Sequence, residues 1–269
     1  MIISSAANPR IKWLRKLRER KFRQESGCFY AEGLRILVEA AQQGAEITAI
    51  VVSSGLLTSP LGLELVEQQR SRGTEIIEVT AEIFQVFAIK DAPVGLAGVI
   101  RQRWLPLEKV NPGREDTWVA LDEVADPGNL GTILRTHDAV GGKGVILLGH
   151  ATDPYDPYSV RASMGAIFSQ QLVKASFEEF SAWKQRLNIP VIGTSDSAPT
   201  NYQEVQYPLP MVLLMGSERQ GLAEGTMRLC DTMARIPMVG TSDSLNLAVA
   251  TAVVLYEIFN QRRKSKERA

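Results

Sequence analysis

The chain has 269 residues, and its 30 Lys plus Arg balance 30 Asp plus Glu, for a formal net charge of zero. That length suits two domains, each able to bury a core, and no stretch reaches the ~18 consecutive apolar residues of a membrane span. With only Cys28 and Cys230, far apart and outside any Cys-x-x-Cys or Cys/His cluster, neither a disulfide framework nor a metal site is expected.

Residues 1–18 carry no apolar run of signal-peptide length, so a cytoplasmic location is expected. The charge is unevenly spread. Between Arg10 and Arg23, Arg10, Lys12, Arg15, Lys16, Arg18, Arg20, Lys21 and Arg23 face Glu19 alone, and the tail adds Arg262, Arg263, Lys264, Lys266 and Arg268. A polyanionic partner, bound with release of counterions, is one reading of two basic ends; a solvated helix face with a frayed tail is the other.

Residues 8–43 read as two helices, one striped by Ile11, Leu14 and Leu17, the other by Leu34, Leu37, Val38 and Ala41 and ended by Gly44. Strand-like runs at 47–52, 75–79 and 96–100 alternate with helical patterns at 61–69 and 81–87, a small α/β unit. A Pro-Gly turn and charges at 110–116 then interrupt the periodicity, which places a boundary between domains 1–109 and 110–269. Beyond it, strand-like runs at 118–124, 145–148, 191–193, 212–215 and 234–236 alternate with helical stretches, the pattern of a parallel sheet with crossover helices.

Asp126-Pro127-Gly128-Asn129 turns into a helix stopped at Gly141, with Asn129 expected as its N-cap. Arg135 lies six residues on, about 120° around the helix from Asn129, so the two converge only if Asn129 sits at the cap. Asp138 offers Arg135 an ion pair at i+3. His137 reads as a surface histidine. Two further strands run into polar, glycine-bearing loops, Gly216-Ser217-Glu218-Arg219-Gln220-Gly221-Leu222 and Ile236-Pro237-Met238-Val239-Gly240-Thr241-Ser242-Asp243-Ser244-Leu245-Asn246. In an open α/β sheet, loops at the carboxyl ends of strands are where ligands sit.

Those two loops, with Asn129-Leu130-Gly131-Thr132-Ile133-Leu134-Arg135, resemble the three motifs of the SpoU (TrmH-like) family of RNA 2′-O-ribose methyltransferases, over roughly residues 116–260 in the same order. The resemblance implies a C-terminal SPOUT domain, a parallel-sheet α/β fold with a deep trefoil knot, although knots are rare in general. It also implies a smaller N-terminal L30e-like α/β domain that binds RNA. The opening Asn8-Pro9-Arg10-Ile11-Lys12 and Phe29-Tyr30-Ala31-Glu32-Gly33 are similar to that domain's usual pattern. Arg161-Ala162-Ser163-Met164-Gly165 resembles a further family stretch.

By that resemblance Asn129, Arg135, Glu218, Ser244 and Asn246 are the catalytic set. Thr194, Gly216, Ile236, Met238 and Leu245 match the positions that hold S-adenosylmethionine, and Arg10, Lys12, Arg15, Lys16 and Arg20 are the candidate RNA contacts. Each residue also has a plainer reading. Glu218 would suit a first helical turn, Ser244 a helix cap, Asn246 an ordinary first-turn position, and Ile236 and Leu245 the core. For Arg135 the family proposals include a general base, whereas a guanidinium, which gives up its proton with great difficulty, is better suited to holding phosphate and stabilising negative charge on the ribose oxygen.

The C-terminal stretch from Leu245 to Phe259 is apolar on nearly every side and so must be buried; the resemblance implies a homodimer built on it, with a site drawing on both subunits. Ribosomal RNA of the large subunit (23S) is favoured as substrate over tRNA, and a non-catalytic RNA-binding factor of the same fold is the alternative class. A nucleotide-binding G-x-G-x-x-G turn, a P-loop and a serine-hydrolase G-x-S-x-G elbow are all absent.

Overall fold

The computed structural model describes residues 2–89 and 91–268; the side chain of Arg268, one of the basic tail residues, lies outside what is described. In chain order the first elements are α1 (Pro9–Lys16), α2 (Arg20–Ser26), β1 (Cys28–Glu32), α3 (Leu34–Gln42), β2 (Ile47–Val52), α4 (Pro60–Ser71), β3 (Glu75–Glu78), α5 (Ala81–Phe87) and β4 (Leu96–Arg101). There follow β5 (Thr117–Asp122), α6 (Pro127–Ala139), β6 (Gly144–Leu148), α7 (Pro157–Ser163), β7 (Gln171–Ala175), α8 (Phe177–Leu187) and β8 (Val191–Thr194). The last are β9 (Thr200–Asn201), β10 (Met211–Met215), α9 (Glu224–Met227), β11 (Thr232–Arg235) and α10 (Leu247–Arg268).

The chain divides into two compact units, Met1–Arg103 with Asp153–Ser169, and Trp104–Thr152 with Gln170–Ala269. This division differs from the boundary expected at 109/110, because the segment carrying α7 packs with the first unit.

The first unit holds a four-stranded sheet of order β1-β4-β2-β3, antiparallel except between β2 and β3. Ile11, Leu14 and Leu17 bury themselves on it with Val51, Val99 and Phe84, so the apolar stripe of α1 finds the core its spacing promises. Caps fix the helix starts: Asn8 for α1, Ser59 for α4 and Thr80 for α5 each accept a backbone N–H of the first turn.

Residues 8–43 are not two helices. Residues 17–19 break the first helical stretch into α1 and α2, and β1 intervenes before α3. Every residue of β1 is buried, so Cys28-Phe29-Tyr30-Ala31-Glu32 lacks the alternation that marks a one-sided strand.

The second unit is a seven-stranded, all-parallel sheet of order β7-β6-β5-β10-β8-β11-β9. Strands β6 and β10 are continuous apolar runs and β5 is apolar from Trp118 to Leu121, as expected where helices cover both faces. Trp118, Ile146, Val173, Phe180, Trp183 and Leu214 sit in the main cluster on it. A capping box between Ser176 and Glu179 starts α8. Among the described residues no helix is long and apolar enough to cross a membrane.

His137 is not on the surface. It is fully buried on α6, its Nδ1 2.8 Å from Gln170 Oε1 and its Nε2 3.1 Å from the Thr117 carbonyl. Burial lowers its pKa to about 4 against the smaller raising effect of those two hydrogen bonds. Gly142 has to be glycine for this packing, since a Cβ there would lie 1.9 Å from His137 Nε2.

Candidate active site

Three neighbouring parallel strands, β10, β8 and β11, finish together, and the residues at their ends are Gly216 after Met215, Thr194, and Ile236 after Arg235. The register pairs Leu214 with Gly193 and Ala234 with Thr194, which puts the three positions on one edge of the sheet. A Cβ on Gly216 would lie 2.0 Å from the backbone carbon of Gly221, because the loop folds back on itself through paired Ser217 and Gly221 backbone hydrogen bonds of 3.0 and 3.1 Å. That fold turns Glu218, Arg219 and Gln220 outward. The 236–246 loop leaves Met238 and Leu245 each 38% exposed, so it offers apolar side chains to whatever occupies this edge. Strand-end backbone, a close-packed glycine loop and apolar flanks are the chemistry that an adenosine needs, and these residues fit S-adenosylmethionine.

Beside that edge the three motif segments are tied together by side chains. Glu218 accepts from the backbone N–H groups of Ala125 and Asp126, both at 3.2 Å, and from Asn129 Nδ2 at 3.1 Å. Asn246 Nδ2 in turn donates to Asn129 Oδ1 at 2.9 Å. Burial would raise the Glu218 carboxyl, but the hydrogen bonds from Asn129, from its own backbone and from the Ala125 and Asp126 amides outweigh it and hold its pKa below the usual carboxylate range. It is therefore an ionised anchor and a poor base at neutral pH. Asn129 and Asn246 each spend one amide N–H in the chain of bonds and keep a second.

Several expected local roles are exchanged. Asp126, and not Asn129, caps α6, its Oδ1 accepting from Asn129 N at 2.7 Å. Asn246, and not Ser244, caps α10, accepting from Ala248 N at 2.9 Å and Val249 N at 3.3 Å. Ser244 is exposed, with its Oγ 3.5 Å from Asp243 Oδ1, and stands outside the network.

Because Asn129 lies inside α6, Arg135 is about 120° around the helix and ~9 Å along it from the amide, so the two side chains do not converge within one chain. Arg135 is exposed, and among the described residues its guanidinium has no hydrogen bond or ion pair, the expected one with Asp138 included.

Asp122 and Thr226 carried no sequence signal. Asp122 ends β5, four residues before the α6 cap, and accepts from the buried Thr226 hydroxyl at 2.8 Å. Burial raises its pKa, with the Thr226 hydrogen bond opposing. The 216–226 segment thus grips the β5–α6 loop at two points, through Glu218 and through Thr226.

α10 presents two kinds of surface. Leu247, Ala248, Thr251, Val254, Leu255 and Ile258 are buried within the chain, while Val249 and Tyr256, seven residues apart on one face, are 49% and 48% exposed. The helix is therefore not buried all round by its own chain.

In the first unit the basic arm divides by role. Arg23 is buried: its Nε donates to Asp153 at 2.8 Å, its Nη2 to Asp156 at 3.3 Å, and its Nη1 to the carbonyls of Leu17 and Arg18. Arg18 reaches the Phe87 and Ala88 carbonyls at the end of α5. Arg10 pairs with Glu75, and Lys16 lies over the Phe22 ring. Lys12 and Arg15 are exposed and, among the described residues, make no ion pair. Arg20 is exposed and partnered. Among the described residues no group of three or more His, Cys, Asp or Glu could hold a metal ion.

Residues 116–256 match the model of the SpoU rRNA methylase family, and residues 8–98 match that of the MRM3-like substrate-binding domain. The chain is 32% identical to a 23S rRNA (uridine(2479)-2′-O)-methyltransferase of Streptomyces viridochromogenes, covering 93% of this chain and 89% of that one. It is 27% identical to a 23S rRNA (guanosine(2553)-2′-O)-methyltransferase of Bacillus subtilis (strain 168), covering 95% and 98%. The crystal structure of an AdoMet-bound rRNA methyltransferase from Sinorhizobium meliloti superposes with a TM-score of 0.90 at 37% identity, over 97% of this chain and 98% of that one.

Proposed function

Since the chain belongs to the SpoU rRNA methylase family, we propose that it transfers the methyl group of S-adenosylmethionine to a ribose 2′-hydroxyl of 23S ribosomal RNA. The observation that carries this reading is the Glu218–Asn129–Asn246 chain of hydrogen bonds, which joins three separate motifs beside the strand ends where an adenosine fits. When bound, S-adenosylmethionine supplies an electrophilic methyl on a sulfonium centre. The ribose oxygen must be in line with that methyl and lose its proton as the new bond forms.

In this reading Thr194, Gly216, Ile236, Met238 and Leu245 hold the cofactor, and Glu218, kept ionised, sets the orientation of Asn129. The spare amide N–H groups of Asn129 and Asn246 position the ribose, with Ser244 supplied from the same loop. Arg135 binds the neighbouring phosphate and stabilises charge growing on the 2′-oxygen.

The outward Arg135, with no hydrogen bond or ion pair among the described residues, supports a site completed by a second copy. We place the homodimer on the Val249–Tyr256 face of α10, whose side chains are exposed, and assign Arg135 of each protomer to the other's site. Residues 1–109 act as the RNA-binding domain, through Lys12 and Arg15 first, then Lys16, Arg10 and Arg20. A trefoil knot in the second unit and a cytoplasmic location belong to the same reading.

The test is methyl transfer from labelled S-adenosylmethionine to total RNA from a strain lacking this gene, followed by mapping of the label. A single 2′-O-methylated residue in 23S rRNA is expected; label confined to tRNA, or none at all, overturns the assignment.

A further inference from the structure

The four-stranded sheet of the first unit opens, where β2 and β3 begin and β4 ends, onto a cavity of about 470 Å³ lined wholly by residues of that unit. Its deeper lining is apolar, with Ala49 and Ile77, both buried. Trp13 lines it too, 36% exposed although Ile11 and Leu14 on either side of it point into the core. Arg10, Arg101 and the carboxylate-bearing Glu75 also line it.

Both arginines have carboxylate partners, Glu75 for Arg10 and Glu46, at 2.9 Å, for Arg101. All four side chains are 47–64% exposed, so these are weak surface pairs that a competing anion displaces at small cost. Lys12 and Arg15 extend the positive charge along α1.

A volume inside the 300–1,000 Å³ of ordinary ligand sites, an indole, two planar guanidinium groups and adjoining cations form a combination suited to a base and its phosphate. A base still stacked in a duplex could not enter. We infer that this cavity takes one unstacked nucleotide of single-stranded RNA, its base against Trp13 and its phosphate on Arg10 or Arg101 in exchange for the carboxylate. The inference rests on the reading that the first unit binds RNA.

The experiment is binding of a labelled oligouridylate to the full-length protein over a range of salt, by fluorescence anisotropy. Trp13→Ala should weaken binding by about 5- to 100-fold without changing the slope of log K against log salt, because stacking releases no counterions, and Trp13→Phe should restore most of the loss. Arg101→Gln should flatten the slope by about 0.7. Melting temperature and S-adenosylmethionine affinity, both expected to match wild type, separate these effects from misfolding.

Wild-type affinity in Trp13→Ala, or a hairpin duplex competing as well as the single strand, overturns the inference. A protein that binds oligouridylate through Trp13 but transfers no methyl would sink the methyltransferase reading and leave the cavity. Methylation with unaltered binding in Trp13→Ala would sink the cavity alone.

Discussion

The strand-end site of the second unit and the basic arm of the first differ in how residue type relates to role. At the strand ends Asn129, Glu218 and Asn246 meet through hydrogen bonds whose donors and acceptors alternate, so each side chain is specified by its neighbours. In the arm, one residue type does three jobs: Arg23 is a buried ion-pair hub, Arg18 a carbonyl ligand, and Arg15 a surface cation with no ion pair among the described residues. A count of basic residues measures their sum and hides the division.

The largest effect should come from Arg135, which like Ser244 stands outside the network. Arg135→Ala is expected to lower methyl transfer by at least about 10³-fold while S-adenosylmethionine affinity, read by calorimetry, stays within about twofold; Arg135→Lys should recover little, lacking the planar fork. Equal losses in cofactor binding and in turnover would return Arg135 to the cofactor edge and erase the contrast with Glu218.

Arg23 is the counterpart in the arm. Arg23→Met leaves Asp153 buried without its cation and should cost about 3–5 kcal/mol, visible as a lower midpoint in urea unfolding. A variant as stable as wild type would mean that the buried hub is no different from the surface cations around it.

The two faces of α10 give the next contrast. Val249→Glu with Tyr256→Glu should yield monomers in light scattering with loss of activity and an intact fold, because those side chains are outward. The same charges at Val254 and Ile258, which are buried within the chain, should unfold the protein instead. Dimers surviving the outward pair would move the interface elsewhere.

Protonation separates the interior of the second unit from its edge. His137 has its folded pKa lowered to about 4 from an unfolded value near 6.5, so its contribution is full above about pH 6.5 and is lost as the pH falls toward 4, by about 3 kcal/mol in all. Stability measured between pH 7 and 4.5 should drop less steeply in His137→Gln. Parallel curves would show that the acid sensitivity lies elsewhere.

The smallest expected change is in the free cations. Lys12→Ala with Arg15→Ala should leave unfolding free energy within about 0.5 kcal/mol but flatten the salt dependence of RNA binding by about 0.7 to 0.9 for each phosphate no longer neutralised. An unchanged slope would make that face of α1 a solvated surface.

What could be read from the sequence followed from periodicity and loop chemistry. The bounds of β2 and the place of β10 came from apolar runs, and the three motif segments were placed at strand and helix ends where they are found. The edge strand β7 and the Asp122–Thr226 bond went unread, and three further misses have a clear physical reason. β1 has no alternation because it is buried throughout, so it merged with the helices around it. The caps at Asp126 and Asn246 lie within three residues of the expected Asn129 and Ser244, and candidate cap residues so close together differ only in three-dimensional geometry. His137 and Arg23 look like surface residues until their partners Gln170 and Asp153 arrive from 33 and 130 positions away.

Asp153 and Asp156 belong to a stretch, Asp153–Ser169, that is inserted in the sequence of the second unit yet folds with the first. The chain therefore enters the first unit twice, and its two parts are not a detachable pair. A fragment ending at residue 103 would carry Arg23 into its interior with no carboxylate to meet it, and a fragment beginning at 104 would carry α7 with nothing to pack on. Exchange of the first unit between proteins built this way needs more than simple fusion at one crossover, because a transplanted amino-terminal part has to match a segment some fifty residues into its new host.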